Sequence, residues 1–179
     1  MEIEAIIQRI LRGERSAFAE LVRRYQNPLF GFLGRMGLSR AVCEEIAQET
    51  FVRIWLNLGR YDPAVSRFST WIFTIAKNLA LNELGKAERR PECSEALPEI
   101  PCEQHGPHEK LVLSRSIVRL QRALLSLSLA DRTILALAYI EGMEMTEIAA
   151  IEGCSKNAVK VRLHRAKKKL QDLMEKDDG

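Results

Sequence analysis

Four of the six prolines in this 179-residue chain, Pro91, Pro98, Pro101 and Pro107, fall in one short stretch. Each removes a backbone donor and blocks helix continuation, so no regular element is expected to cross residues 88–108. The stretch is also acidic, with Glu92, Glu95, Glu99 and Glu103. It reads as a flexible tether, which forces the remainder to fold as two units, residues 1–87 and 109–179. Each has only about 70–85 residues, near the lower size limit for autonomous folding.

Both blocks carry helical patterning. Apolar residues make up 46% of the chain and aromatics only 6%, and no run of alternating β-branched residues occurs, which together favour an all-α protein. In the first block, Phe18, Leu21, Val22, Tyr25, Leu29 and Phe32 recur at three- and four-residue steps. A break is expected at Gly34, Gly37 and Ser39. A second helix is expected over residues 41–58, with Ala47, Phe51, Ile54 and Leu58 on one face. A third follows the polar loop GRYDPAVSR, with Ser69 or Thr70 as its N-cap. In the second block, Leu111, Ile117, Leu120, Leu124 and Leu127 predict a helix ending near Ser126, and residues 131–140 predict a buried one.

The charge is unevenly spread. The net value is +3, yet residues 155–170 carry seven lysines and arginines and no acid. Ahead of them stand a short apolar-periodic segment, the small Ala149 and a turn at Gly153, with Ser155 placed to cap the basic helix. This is the pattern of a helix-turn-helix, whose second helix enters the DNA major groove. At about 100° per residue, Val159, Leu163, Ala166, Leu170 and Leu173 form a stripe that can pack on Ile134, Leu137 and Ile148. Asn157, Lys160, Val161, His164, Arg165 and Lys168 occupy the opposite arc. Lysine and arginine there neutralise phosphates, Arg165 can read a guanine edge, and Val161 can touch a thymine methyl.

Three segments in order narrow the class. SRAVCEEIAQETFVRIW resembles the core-polymerase-binding segment of the sigma-70 family. FSTWIFTIAKNLALNEL resembles its promoter-melting helix, and MTEIAAIEGCSKNAVKVRLHRAKKKL its fourth region. The short length points to the extracytoplasmic-function (ECF) branch.

The resemblance implies a sigma factor that binds core RNA polymerase and directs promoter-specific initiation. It places Glu45, Gln48, Glu49 and Arg53 against the polymerase. It places Arg60, Tyr61, Phe68, Ser69, Thr70, Trp71, Lys77, Asn78 and Asn82 at the −10 element, where an unpaired base is captured. Trp71 is open to core packing or to stacking on DNA. For the −35 element it implies Ser155, Lys156, Asn157, Lys160, Val161, Arg162, His164, Arg165 and Lys168. Arg162 lies on the flank of the arc, which suits a phosphate contact or a pairing within the helix. An anti-sigma factor is a further implied partner. Departures from the family pattern include Ser128 for a frequent proline, Glu144 for a small N-cap and Glu152 for a leucine, the last predicting a looser turn.

Four soft ligands, Cys93, Cys102, His105 and His108, lie in the tether. They form a donor set suited to zinc at a spacing that fits no standard finger. A Cys93–Cys102 disulfide and a plain linker are the other readings, and no other cofactor is expected. Cys43 and Cys154 read as buried small apolar residues. No apolar run reaches the roughly 18–20 residues of a membrane span, and no secretory signal pattern opens the chain, so a cytoplasmic protein is expected. No phosphate loop or Ser-His-Asp set argues for an enzyme. The competing function is a helix-turn-helix repressor or activator that works without being a polymerase subunit.

Overall fold

Burial of short apolar stripes, one per helix, organises the computed structural model, which describes residues 3–87, 117–139 and 141–176. All regular elements among the described residues are helical. They are α1 (Ile3–Leu11), α2 (Arg15–Arg35), α3 (Arg40–Asn57), α4 (Phe68–Ala87), α5 (residues 117–125), α6 (Leu129–Tyr139), α7 (Met145–Glu152) and α8 (Lys156–Lys176), with a 3-10 turn at Leu58–Arg60. The chain forms two compact units, with α1–α4 in the first and α5–α8 in the second. The tether reading, including Cys93, Cys102, His105 and His108, lies outside the described residues.

In the first unit, α1 buries Ile6, Ile7 and Ile10. The Arg9 guanidinium fastens it to the next helix. Its Nε donates to Glu14 at 2.8 Å and its Nη1 and Nη2 donate to Glu20, each at 3.0 Å. Helix α2 carries the expected stripe through Pro28 and ends at Arg35, within the expected break. The proline ring removes one helical hydrogen bond, and the fully buried Leu21, Leu29, Phe32 and Leu33 hold the helix through it. The chain turns at Gly37, whose φ of 92° is left-handed. Ser39 then heads α3, accepting a long hydrogen bond of 3.5 Å from the Val42 N–H.

Helices α3 and α4 pack together through Cys43, Ile46, Ala47, Phe51 and Ile54 on one side and Phe68, Ile72, Phe73, Ala76 and Ala80 on the other, all buried. Phe32 meets Phe73 edge-on at 5.2 Å. Burial pushes the Cys43 thiol up to about 11. Helix α4 starts at Phe68, ahead of the expected cap, so Ser69 and Thr70 lie within its first turn. Packing of the buried Phe68 ring against Tyr25 and Tyr61 draws that residue into the helix.

In the second unit, Ser128 opens α6 by capping rather than by the fixed φ a proline would bring: its Oγ accepts the Asp131 N–H at 3.2 Å. Helix α6 buries Thr133, Ile134, Leu135, Ala136 and Leu137. Glu144 heads α7 in a reciprocal capping box, its side chain accepting the Glu147 N–H while its own N–H donates to Glu147 Oε2 at 3.1 Å. Gly153 ends α7 at φ 64°, ψ 35°, and the Cys154 N–H returns to the Ala149 carbonyl at 3.0 Å. Ser155 Oγ then accepts the Ala158 N–H at 3.2 Å and caps α8. Cys154, expected in the core, is half-buried in this turn.

A Cβ added at Gly153 would meet nothing within 4 Å, so only the left-handed backbone opposes it. Gly153→Ala should therefore destabilise the protein by about 1–2 kcal/mol. Gly153→Asn should cost less. Thermal denaturation of the two variants beside the parent checks the order.

Candidate nucleic-acid and polymerase interfaces

Helix α8 buries Val159 and Ala166 completely, with Leu163, Leu170 and Leu173 half-buried beside them. That seating leaves Asn157, Lys160, Val161, His164, Arg165 and Lys168 exposed on one arc, as the sequence predicts, with Ser155 and Lys156 exposed at the start of the helix. Val161 keeps half its surface open. Two basic side chains point elsewhere. Arg162 Nη1 donates to Glu152 Oε2 on α7 at 3.3 Å, and Lys169 Nζ donates to Asp131 Oδ2 on α6 at 2.7 Å. Glu152, expected to loosen the turn, has only 6% of its side chain exposed, so the turn is packed around an ion pair. At the far end of α8 the Arg119 guanidinium donates to the Met174 carbonyl.

Asp131 is also largely buried. Burial pushes its carboxyl up, but the hydrogen bonds from Lys169 and Ser128 and the charges of Lys169 and Arg162 outweigh this and hold it below its ordinary range.

On α3, Glu45, Gln48, Glu49 and Arg53 are exposed, with Arg53 Nε donating to Glu49 Oε1 at 2.7 Å. The structure adds what periodicity did not reveal. Val52, Trp55 and Leu56 are also exposed, Leu56 at 73%. At about 100° per residue Val52 and Leu56 fall on either side of Glu45, inside the polar arc. The Trp55 ring leans edge-on against Phe18 at 4.9 Å, which holds it at the edge of that face.

The loop between α3 and α4 is internally braced. Asp62 Oδ1 accepts the Ala64 N–H at 2.8 Å, and the Tyr61 hydroxyl donates to the Ser66 carbonyl at 3.1 Å. Tyr61 stacks on Trp71 at 5.4 Å and 25°, and Phe68 meets both rings edge-on. Trp71 is half-buried, so it serves the packing and still shows an edge. Arg60, Asn78 and Asn82 are exposed, and Ser69 and Lys77 half-buried. Phe68 and Thr70 are buried, however, at 1% and 5% exposure. The Phe68 ring braces Tyr61 and Trp71 from the buried side, and neither side chain is open to a base. Val65, not anticipated, stands at the loop tip with 82% of its surface open.

Comparison with known proteins agrees with this layout. Residues 21–90 match sigma-70 region 2, and residues 117–170 match sigma-70 region 4. The chain is 31% identical to the RNA polymerase sigma factor CarQ of Myxococcus xanthus, over 94% of this chain and 95% of that one. It is 31% identical to the ECF RNA polymerase sigma-E factor of Haemophilus influenzae, over 96% of each chain. The chain belongs to the ECF branch of the sigma-70 family. The solved structure of CnrH in complex with the cytosolic domain of CnrY is similar, with a TM-score of 0.71 at 26% identity and 97% coverage of both chains.

This sigma factor directs transcription initiation and contributes no bond-making chemistry of its own. Its region 2 match contains the α3 face and the braced loop, and its region 4 match contains the whole of α6–α7 and most of α8. Among the described residues, no group of three or more His, Cys, Asp or Glu side chains is placed to hold a metal ion.

The Asp131 pairing has a pH consequence. Its folded value lies below the ordinary 3.8, so its contribution to stability is present above 3.8 and is lost as pH falls through the lower folded value. Asp131→Asn should lower Tm most at neutral pH, and the gap to the parent should close in acid below that window. Paired melting curves from pH 7 downward measure it. On the exposed arc, Lys160→Ala should reduce the log–log salt slope of promoter binding by about 0.9, one phosphate contact, in a salt titration of the polymerase-bound factor.

Proposed function

We propose that this sigma factor docks on core RNA polymerase through the outward face of α3, captures the −10 strand with the α3–α4 loop and α4, and reads the −35 element with α8. The observation that carries this is the α3 face, where Val52 and Leu56 remain exposed among Glu45, Gln48, Glu49 and Arg53. Apolar side chains ringed by charge form the anatomy of a protein interface, an apolar centre with a polar rim. A helix-turn-helix repressor would have no need of such a face far from its DNA-reading helix in sequence.

At the −10 element, Tyr61 and Trp71 offer an aromatic edge, Asn78 and Asn82 offer donors and acceptors on one side of α4, and Arg60 offers charge for the backbone. Phe68 and Thr70 act indirectly, by fixing the loop. At the −35 element, Lys156, Lys160, Arg165 and Lys168 neutralise phosphates, with Arg165, Asn157 and Val161 placed for base edges. The protein works where polymerase is found, in the cytoplasm. Among the described residues, no helix is long and apolar enough to cross a membrane. The related CnrH was solved with the cytosolic domain of a partner, CnrY. By analogy we assign this chain an anti-sigma partner, for which the apolar residues on α3 offer a surface that competes with polymerase.

Run-off transcription with core polymerase on a randomised promoter library tests this reading. Added protein should create new start sites, and the protein alone should bind duplex promoter DNA weakly. Tight sequence-specific binding to duplex without polymerase, and no new start sites, would establish the repressor reading instead. Because Leu56 is so exposed, Leu56→Glu should leave the melting temperature unchanged. It should weaken binding to core polymerase by about tenfold or more, as expected for a central apolar interface residue.

A further inference from the structure

Of the basic side chains on α8, Arg162 and Lys169 are the two that face buried acids. They lie seven residues apart, two helical turns, and so share one edge of the helix. Glu152 on α7 and Asp131 on α6 oppose them, with side chains only 6% and 9% exposed. Arg162 is central to the set: it bonds Glu152 at 3.3 Å and its charge also acts on Asp131, which Lys169 and Ser128 hydrogen-bond. Two cations on one edge of α8 thereby join three helices, Arg162 reaching α7 and Lys169 reaching α6, and Glu152 sits immediately before the left-handed turn at Gly153 that starts the path to α8.

We propose that Arg162 is a positioning residue for promoter reading, which seats α8 against α6 and α7 through the buried carboxylates and does not itself contact DNA. This rests on the assignment of α8 to the −35 element. The reasoning is electrostatic. A buried carboxylate that loses its partner is left uncompensated at high cost. If Arg162 turned outward to a phosphate, the buried Glu152 would lose this ion pair and Asp131 would lose a stabilising charge. The pair also spans the turn, so it sets the angle at which α8 leaves α7. A change there moves Asn157, Lys160, Val161 and Arg165 together relative to the groove. Family likeness alone would count Arg162 among the DNA contacts, since it stands in the basic helix. The structure separates it from Lys160 and Arg165, which lie exposed on the arc.

The test uses full-length protein in holoenzyme on a promoter taken from the run-off library, with closed-complex affinity measured against salt. Parent holoenzyme must first bind and initiate there; if it initiates nowhere, the sigma assignment itself fails, whatever Arg162 does. With an active parent, Arg162→Ala should weaken binding about tenfold while keeping the parent salt slope. Adding Glu152→Gln should restore most of that loss, because the buried charge is gone. Glu152→Gln alone should weaken binding by a smaller factor. Lys160→Ala, the phosphate control, should lose about 0.9 of slope. The proposal is overturned if Arg162→Ala loses the same slope as Lys160→Ala and Glu152→Gln restores nothing. If Arg162→Ala does not fold, Glu152→Gln/Arg162→Met decides: parental slope supports positioning, and a slope reduced by about 0.9 overturns it.

Discussion

Val159 and Ala166 are fully buried, and that burial determines which side of α8 faces outward. The same constraint governs α3, through Ile54, Phe51 and Ala47, and α4, through Ile72, Phe73 and Ala76. A helix has one rotational degree of freedom about its axis, and packing of its apolar stripe removes it. Every functional surface described above is what remains after the core is satisfied. Small units make this rule strict, because a few buried side chains supply most of the core.

The outward surfaces differ in chemistry, and the difference suits two kinds of partner. The α3 face mixes exposed Val52 and Leu56 with Glu49 and Arg53, which already pair with each other. Such a face gains from apolar burial and is only modestly screened by salt. The α8 arc carries one sign of charge and gains by releasing counterions from DNA, so its affinity falls steeply with salt. Binding through the first raises the local concentration of the second near DNA held by the same complex, which makes a weak DNA contact sufficient.

Periodicity and local backbone chemistry made much of this legible in the sequence. The α8 arc, the Gly153 turn and the Ser155 cap depend on residues within a few positions of one another, and each reads directly. Features set by distant partners did not. Phe68 looked available for stacking until Tyr25, Tyr61 and Trp71 closed around it. The pairing of Glu152 with Arg162 joins residues on two helices, so no single-helix projection finds it. Val52 and Leu56 were hidden for another reason. Apolar residues in a polar arc lower the amphipathic signal, and only the folded structure shows that the core leaves them out.

These observations bear on how a promoter is chosen. The exposed arc of α8 offers few groups that tell one base from another: Asn157, Arg165, Val161 and His164 stand among lysines that sense only charge. Each good base contact discriminates by about 1–3 kcal/mol, so α8 alone separates a true site from a large excess of others poorly. The surface proposed for the −10 element is equally sparse, with Asn78, Asn82 and the edge of Trp71. Discrimination grows when both sets must be satisfied by one polymerase complex, since the two energies then add across well-separated contacts. A rigid seat for each reading helix matters more under that scheme than a larger number of contacts. A misplaced arc forfeits all of its few base contacts at once, whereas a nonspecific phosphate contact tolerates the shift. On the proposed assignment, the buried acids that pair with α8 and the aromatic rings that brace the α3–α4 loop take as much part in promoter choice as the side chains offered to the DNA.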